Sequence, residues 1–231
     1  MTDEATETGW RRHWPLAALL LVTALAYARL WSVGWSWDDE ALILDNQVTG
    51  SLANIGDFFT RDLWGTTRLS ELKSGYYRPF MLISLAVDRA LYGLSSMGAH
   101  IHSLLWHLGA VAALFTLLRR LTGPLAALAG ATLFAVHPVQ TEVLALVAAR
   151  NDSMAAVFVL SALLLLLDRK TRSPLRLGGA SLLVLAGLLE RDASHVEAAF
   201  APLGLRERQR WTRLDDDGES WIGLVLARAA G

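Results

Sequence analysis

The sequence predicts an all-α polytopic membrane protein with a large first external loop and a small C-terminal α/β tail. Of its 231 residues, 53% are hydrophobic, and the mean hydropathy is +0.36. The apolar fraction is above the range of ordinary globular domains. The apolar residues fall into runs, and counting those long enough for a membrane helix gives about five transmembrane helices. Basic clusters flank these runs in a pattern typical of cytoplasmic loops.

Charge and cysteine content exclude several classes of protein. A formal net charge of −1 argues against nucleic acid as a partner, because phosphate binding requires a basic surface. The chain has no cysteine, which excludes disulfides, thiolate metal sites and a cysteine nucleophile.

The first predicted span is residues 15–35, PLAALLLVTALAYARLWSVGW. It follows Arg11 and Arg12, so residues 1–13 are expected in the cytoplasm. A signal peptide is the alternative interpretation, but the apolar run is long for one and no small-residue cleavage site follows it.

Later apolar runs supply the other predicted spans, at residues 100–118, 124–139, 153–167 and 175–189. A further apolar run at residues 78–93 would place Arg119–Arg120 and the basic residues 169–176 on opposite sides if it crossed the membrane. It would also put Asp88 and Arg89 inside the bilayer, at high cost. We therefore predict an amphipathic helix on the outer interface. Residues 34–97 then form one large external loop, and residues 137–152 a second external segment.

Composition shifts at residue 190, where charges become frequent. Residues 190–231 are predicted to form a soluble tail. The segment ASHVEAAFAPLG indicates a short helix. LRERQRWTRL and WIGLVLAR flank a glycine-containing turn and indicate a β-hairpin.

Polar residues gather on the predicted external side, beside an apolar groove. Arginine binds phosphate through its forked donors, and a carboxylate can take a proton from a hydroxyl, so such a cluster suits a substrate that is half polar and half lipid. No third ligand accompanies the histidines at sensible spacing, so no metal site is predicted. The candidate site residues are Asp38, Asp39, Arg78, His100, His107, His137, Glu142, Arg150 and Asp152.

Four ordered motifs, WDDE, YYRPF, HIHSLLWH and HPVQTEVLALVAARND, closely resemble those of the C-type integral-membrane glycosyltransferases. The nearest branch is the protein O-mannosyltransferase-like proteins that carry tetratricopeptide repeats, which include many bacterial relatives. The similarity covers residues 14–189. It implies a bacterial inner-membrane enzyme that takes a sugar from a polyprenyl-phosphate carrier and passes it to a protein or glycan acceptor on the outer face. No separate cofactor is implied.

The resemblance also implies roles for individual residues. Asp38 is the base that activates the acceptor hydroxyl, and Asp39 is its partner. The family's Tyr-Arg-Pro element contributes Arg78, and its His-Pro-x-x-Thr-Glu element contributes His137, Glu142 and Arg150. One departure is Ser103, where relatives often have asparagine. Another is the small number of spans, from which we expect only the N-terminal part of such an enzyme, inactive as a fragment.

The tail resembles a different family, the ribosomal-protein methyltransferases that modify the large-subunit stalk protein. The similar segment is the C-terminal end of that family, and the glycine-rich cofactor loop is absent here. A natural fusion and a misassembled gene are both compatible with this pattern.

Simpler interpretations exist for the same residues. The acids after the first span can be a solvated loop, the histidines can be polar contacts between helices, and Arg78 can anchor an interfacial helix. The tryptophans near the first span can form an aromatic belt. The corresponding alternative function is a non-catalytic membrane fragment that binds lipid or assists assembly, and a methyltransferase-related protein is a lesser alternative.

Overall fold

The computed structural model describes residues 3–68, 71 and 76–167, together with the strand residues 188–189, 205–214 and 220–228. The α-helices are α1 (Asp3–Ala26), α2 (Ile55–Phe58), α3 (Pro79–Tyr92), α4 (Ser96–Leu121), α5 (Pro124–Val136), α6 (Val139–Ala145) and α7 (Arg150–Leu167). Short 3-10 turns cover Ala28–Ser32, Val48–Gly50, Leu52–Asn54, Trp64–Thr66 and Val147–Ala149, and one π-helical turn covers Glu40–Leu44.

Three segments of the described chain are helical, long and apolar enough to cross a membrane. They are Trp14–Ser32, Ser96–Leu121 and Val147–Leu165. The prediction of a largely helical membrane protein is therefore confirmed, with spans near the expected residues 15–35, 100–118 and 153–167.

The directions of these helices follow from their contacts. Leu19 on α1 packs in a cluster with Phe115, late in α4, whereas the Tyr27 ring lies 5.7 Å from that of His107, earlier in α4. Helices α1 and α4 are therefore antiparallel. At the start of α7, the Arg150 side chain donates a hydrogen bond to the carbonyl of Ala99, which lies early in α4. Near the end of α7, the Leu164 carbonyl accepts from Arg120. Helices α4 and α7 are therefore parallel.

Two helices, α5 and α6, bring the chain back between α4 and α7. The predicted span 124–139 is interrupted, because α5 ends at Val136 and, at about 1.5 Å per residue, is shorter than the ~30 Å hydrocarbon core. His137 precedes Pro138, and the proline ring disfavours helical geometry at the residue before it. Helix α6 completes the return to the N-terminal end of α4, where the Leu144 carbonyl near the end of α6 contacts the ring of His100.

The loop after α1 builds its own apolar core at the N-terminal end of α4. Helix α3 starts with a proline in its first turn and is followed by Gly93, which adopts φ 63°. At 14 residues it is too short to span, as predicted. The buried members of this core are Leu42, Ile43, Phe58, Leu63, Met81, Leu82, Leu85, Ala86, Ala99, Val147 and Ala148. Residues 42–63, helix α3 and residues 147–148 therefore meet at one end of the bundle.

The C-terminal part of the chain contains three strands, β1 (Leu188–Leu189), β2 (Leu205–Leu214) and β3 (Ser220–Arg228), in the order β1-β3-β2. Both pairs are antiparallel, with Leu188 opposite Ile222 and Arg210 opposite Leu224. The predicted fifth span was expected to end near Leu189, but residues 188–189 form a strand. The rest of that span, the tail helix and the hairpin turn lie outside the described residues.

Candidate functional site

The acidic motif after the first span places its two aspartates in opposite environments. Asp39 is fully buried, and its carboxylate accepts hydrogen bonds from the backbone N–H groups of Ala148 at 2.8 Å, Val147 at 3.3 Å and Ser36 at 3.3 Å. Asp38 is exposed. Because consecutive residues in a helical turn point about 100° apart, burying one carboxylate leaves the other facing outward.

The backbone at this motif adopts an uncommon conformation. Trp37 has φ 50° and its side chain is 88% exposed. Left-handed geometry is unfavourable for a bulky residue, and an exposed indole gains nothing from packing. The bonds made by Asp39 hold this turn in place, and the carboxylate of Asp38 projects from it.

Arg150 is wholly buried where α3, α4 and α7 meet. Its Nε donates to Ser103 Oγ at 3.0 Å, Nη1 donates to Ser84 Oγ at 2.7 Å, and Nη2 donates to the Ala99 carbonyl at 2.8 Å. Nη2 also lies 2.6 Å from Asp88 Oδ2, forming a buried ion pair. These contacts occupy the guanidinium, so the geometry does not support the phosphate-binding role expected for Arg150.

Asp88 also receives a hydrogen bond from His102. The Trp106 indole donates to His102 Nε2 at 3.1 Å, and since an indole N–H can only donate, Nε2 must be the acceptor. The proton of a neutral His102 therefore sits on Nδ1 and points to Asp88. For the same reason, the 3.4 Å approach of Arg150 Nη1 to His102 Nδ1 does not act as a hydrogen bond in that tautomer.

Sequence reasoning missed Asp88 and His102 as members of this network. It treated Asp88 as a charge to be kept out of the bilayer, whereas the protein surrounds it and supplies two partners. No local pattern indicated this network, because Asp88 and Arg150 lie far apart in the sequence and nothing in the motif marks Arg150 as buried.

His100 and His107 are fully buried on α4. His100 Nδ1 lies 3.0 Å from the Leu144 carbonyl and Nε2 lies 3.3 Å from the Gly34 carbonyl, so this ring connects the acidic segment to the end of α6. Nε2 of His107 lies 3.0 Å from the Ala135 carbonyl. Both rings therefore make interhelical polar contacts, the simpler interpretation considered for them.

The remaining candidate residues lie nearer the surface. Arg78 is half-buried at the N-terminal end of α3, with its guanidinium 4.7 Å from the centre of the Tyr76 ring. His137, Glu142 and Asp152 are exposed. His137 Nδ1 accepts from the N–H of Val139, which supports the start of α6. Within the described ranges, no three His, Asp or Glu side chains form a group that could hold a metal ion.

Comparison with known proteins identifies relatives that are similar to this chain in sequence. The human protein O-mannosyl-transferase TMTC4 is 32% identical over 164 residues, covering 63% of this chain and 22% of the relative. The protein O-mannosyl-transferase Tmtc1 of Drosophila melanogaster is 33% identical over 159 residues, covering 66% of this chain and 18% of the relative. The mouse protein O-mannosyl-transferase TMTC3 is 28% identical over 146 residues, covering 63% of this chain and 16% of the relative.

The chain is similar to protein O-mannosyl-transferases. The predicted resemblance is confirmed at this level, and it supports a glycosyltransferase-like role. The chain spans about a fifth of the length of these O-mannosyl-transferases.

No family model matches the chain. No solved structure matches it either. The resemblance of the tail to ribosomal-protein methyltransferases stays a prediction.

Proposed function

We propose that the chain forms the acceptor-activating part of a membrane glycosyltransferase that moves a sugar from a polyprenyl phosphate to a hydroxyl of a protein. One observation carries this proposal: an exposed aspartate stands beside a buried one that three backbone N–H groups hold in place. A catalytic base must be held in a fixed orientation and must be accessible to substrate. In this pair, the buried Asp39 fixes the backbone and the exposed Asp38 is accessible. The similarity to O-mannosyl-transferases supplies the reaction class.

In the proposed reaction, the acceptor oxygen attacks the anomeric carbon of the sugar. A new carbon–oxygen bond forms as the bond between that carbon and the phosphate oxygen breaks, and the phosphate keeps the electron pair. The acceptor proton passes to Asp38. General-base catalysis of this kind contributes about 10²–10⁴-fold in rate.

Arg78 is the arginine best placed to bind the donor phosphate. It is half-buried beside the loop core and makes no ion pair within the described part of the chain. Its contact with the Tyr76 ring orients the guanidinium while leaving its N–H edge available. Arg150, by contrast, has its donors directed to protein atoms.

The test uses the full chain reconstituted in liposomes with radiolabelled polyprenyl-phosphate mannose and a peptide containing serine and threonine. The number of spans led us to expect an inactive fragment, whereas the proposal requires measurable mannosyl transfer by this chain. That transfer should fall by about 10²-fold or more in Asp38→Asn. Glu40→Gln is the matched control, because Glu40 is an exposed acid of the same motif. Its activity should equal that of the unsubstituted chain.

Two results would overturn the proposal. The first is equal transfer by Asp38→Asn and the unsubstituted chain, which would remove Asp38 as the base. The second is binding of the donor without transfer under any condition, which would favour the non-catalytic alternative.

A further inference from the structure

Arg150 fixes the position of the turn that precedes it. This residue is the first of α7 and directly follows the turn Val147–Ala149. Its side chain reaches back into the protein and is bound by α3 through Ser84 and Asp88, and by α4 through Ser103 and the Ala99 carbonyl. The start of α7 is therefore held by two other helices at once.

The same turn also holds the acidic motif. The N–H groups of Val147 and Ala148 donate to the two carboxylate oxygens of Asp39. Both residues belong to the apolar core that includes Leu82 and Leu85 of α3. Any shift of the turn therefore moves the donors on which Asp39 depends, and Asp38 is the residue directly before Asp39.

We infer that Asp88 and Arg150 are positioning residues for the Asp38 carboxylate, acting through the Val147–Ala149 turn and Asp39. This inference rests on the proposed function for the role of Asp38. The mechanical link from the ion pair to Asp39 does not depend on that role. A polar cluster of this size inside a membrane protein is costly unless all its members are paired, and the pairing ties three helices to a single geometry.

The link can be tested without substrate, because the chain has no cysteine of its own. Ala148→Cys places a thiol at a buried position in the turn, and Ala131→Cys places one at a fully buried position of α5, away from the network. Both thiols should resist a maleimide in detergent. Combining Ala148→Cys with Ser103→Ala, which removes one acceptor of Arg150, should make labelling at position 148 about tenfold faster. The thiol at position 131 should stay protected.

Two further variants sharpen this experiment. Asp88→Asn removes the charge partner of Arg150 and should expose the thiol at position 148 more than Ser103→Ala does. If Asp88→Asn unfolds the protein, the thiol at position 131 will react as well, and Ser103→Ala then decides the question. Asp45→Asn is the matched control, since it breaks an exposed 3.0 Å ion pair with Arg68 and should leave both thiols protected.

Transfer kinetics complete the test. Misplacing a catalytic group by about 1 Å can cost about 10²-fold in rate, so Ser103→Ala should lower kcat markedly and leave the KM for the polyprenyl-phosphate mannose donor unchanged. Continued protection of the thiol at position 148 in Asp88→Asn and Ser103→Ala would overturn the inference. Exposure of that thiol with unchanged kcat would also overturn it. Absence of transfer in the unsubstituted chain would count against the proposed function instead, and the labelling result would still decide the mechanical link.

Discussion

Trp37 and Asp39, two residues apart, show how the candidate site is held. The first has an unfavourable backbone angle and an indole in solvent, and the second has a carboxylate removed from solvent. Neither arrangement arises from local preference. Both follow from the bonds between Asp39 and the turn at residues 147–148.

For Trp37, glycine should be tolerated by the fold. Glycine adopts positive φ without the penalty of about 1–2 kcal/mol that other residues incur. We expect Trp37→Gly to change the free energy of unfolding by less than about 1 kcal/mol, as measured by thermal unfolding in detergent. Trp35→Gly is the control, because Trp35 packs against the loop core and its removal should cost about 2 kcal/mol or more. Equal losses from both would mean that the indole of Trp37 contributes to packing.

For Asp39, stability should depend on pH. Burial raises the pKa of its carboxyl, although the N–H groups of Ala148, Ser36 and Val147 and the charge of His100 oppose the shift. The native state thus binds this proton more tightly than the unfolded chain. The resulting stabilisation is complete below the unfolded pKa of about 4 and is lost as pH rises through the higher folded pKa.

Asp39→Asn cannot titrate and should lack this component. The free energy of unfolding of the unsubstituted protein should therefore fall relative to that of Asp39→Asn as the pH rises from about 4 to about 7. Parallel curves would show that Asp39 has an unshifted pKa.

At the scale of elements, the junction between α3 and α4 is unusually close. Gly98 lies in the first turn of α4, and a Cβ built on it would meet Cγ of Tyr92 at 2.5 Å and Cβ at 2.7 Å. The obstructing atoms are near the backbone of the last residue of α3, so they cannot easily move aside. Glycine at this position therefore allows α3 to fold back against α4.

Gly98→Ala should consequently push the two helices apart and destabilise the protein by about 1–3 kcal/mol, as judged by thermal unfolding in detergent. Gly56→Ala is a suitable control, because a Cβ at Gly56 has nothing within 4 Å. Similar stability of the two variants would show that the junction adapts at little cost.

Several elements could be read from the sequence, and their limits have physical causes. Long apolar runs located the three spans, because crossing a membrane sets length and composition together. The early end of α5 at Val136 was not predicted, because residues 124–139 are apolar enough to read as one span. The effect of Pro138 on the conformation of His137 was given too little weight. The acidic pair was found, but its division into a buried and an exposed member depends on residues 147–148. The Asp88–Arg150 pair joins positions too far apart for any local pattern to indicate.

At the scale of the whole molecule, both loop regions of the candidate site lie at one end of the bundle. Contacts of residues 42–63 and of helix α3 with residues 147–148 require this arrangement. Arg120, at the other end of α4, pairs with the late part of α7. The side of the membrane that each end faces stays a prediction from the basic clusters.

Single cysteines can test the arrangement in intact cells, because the unsubstituted chain contributes no background. Cysteine at the exposed positions Ser51 and Thr141 should react together with an impermeant maleimide added outside, whereas cysteine at Thr122 should react only after the membrane is opened. If Thr141→Cys instead reacted only after the membrane is opened, as expected for Thr122→Cys, the two loops would not lie on the same side of the membrane.

The bonds between Asp39 and the turn at residues 147–148 join positions 108 and 109 residues apart. A chain leaves the ribosome from its N-terminus, so the first span and its acidic motif are made long before the donors that hold them. Until α4, α5 and α6 have been inserted, Asp39 has only the N–H of Ser36 from its final set of donors. Assembly of the site is thus a late event of biogenesis, and a nascent chain held at the membrane before Val147 emerges should carry its acidic motif in a different, more hydrated conformation.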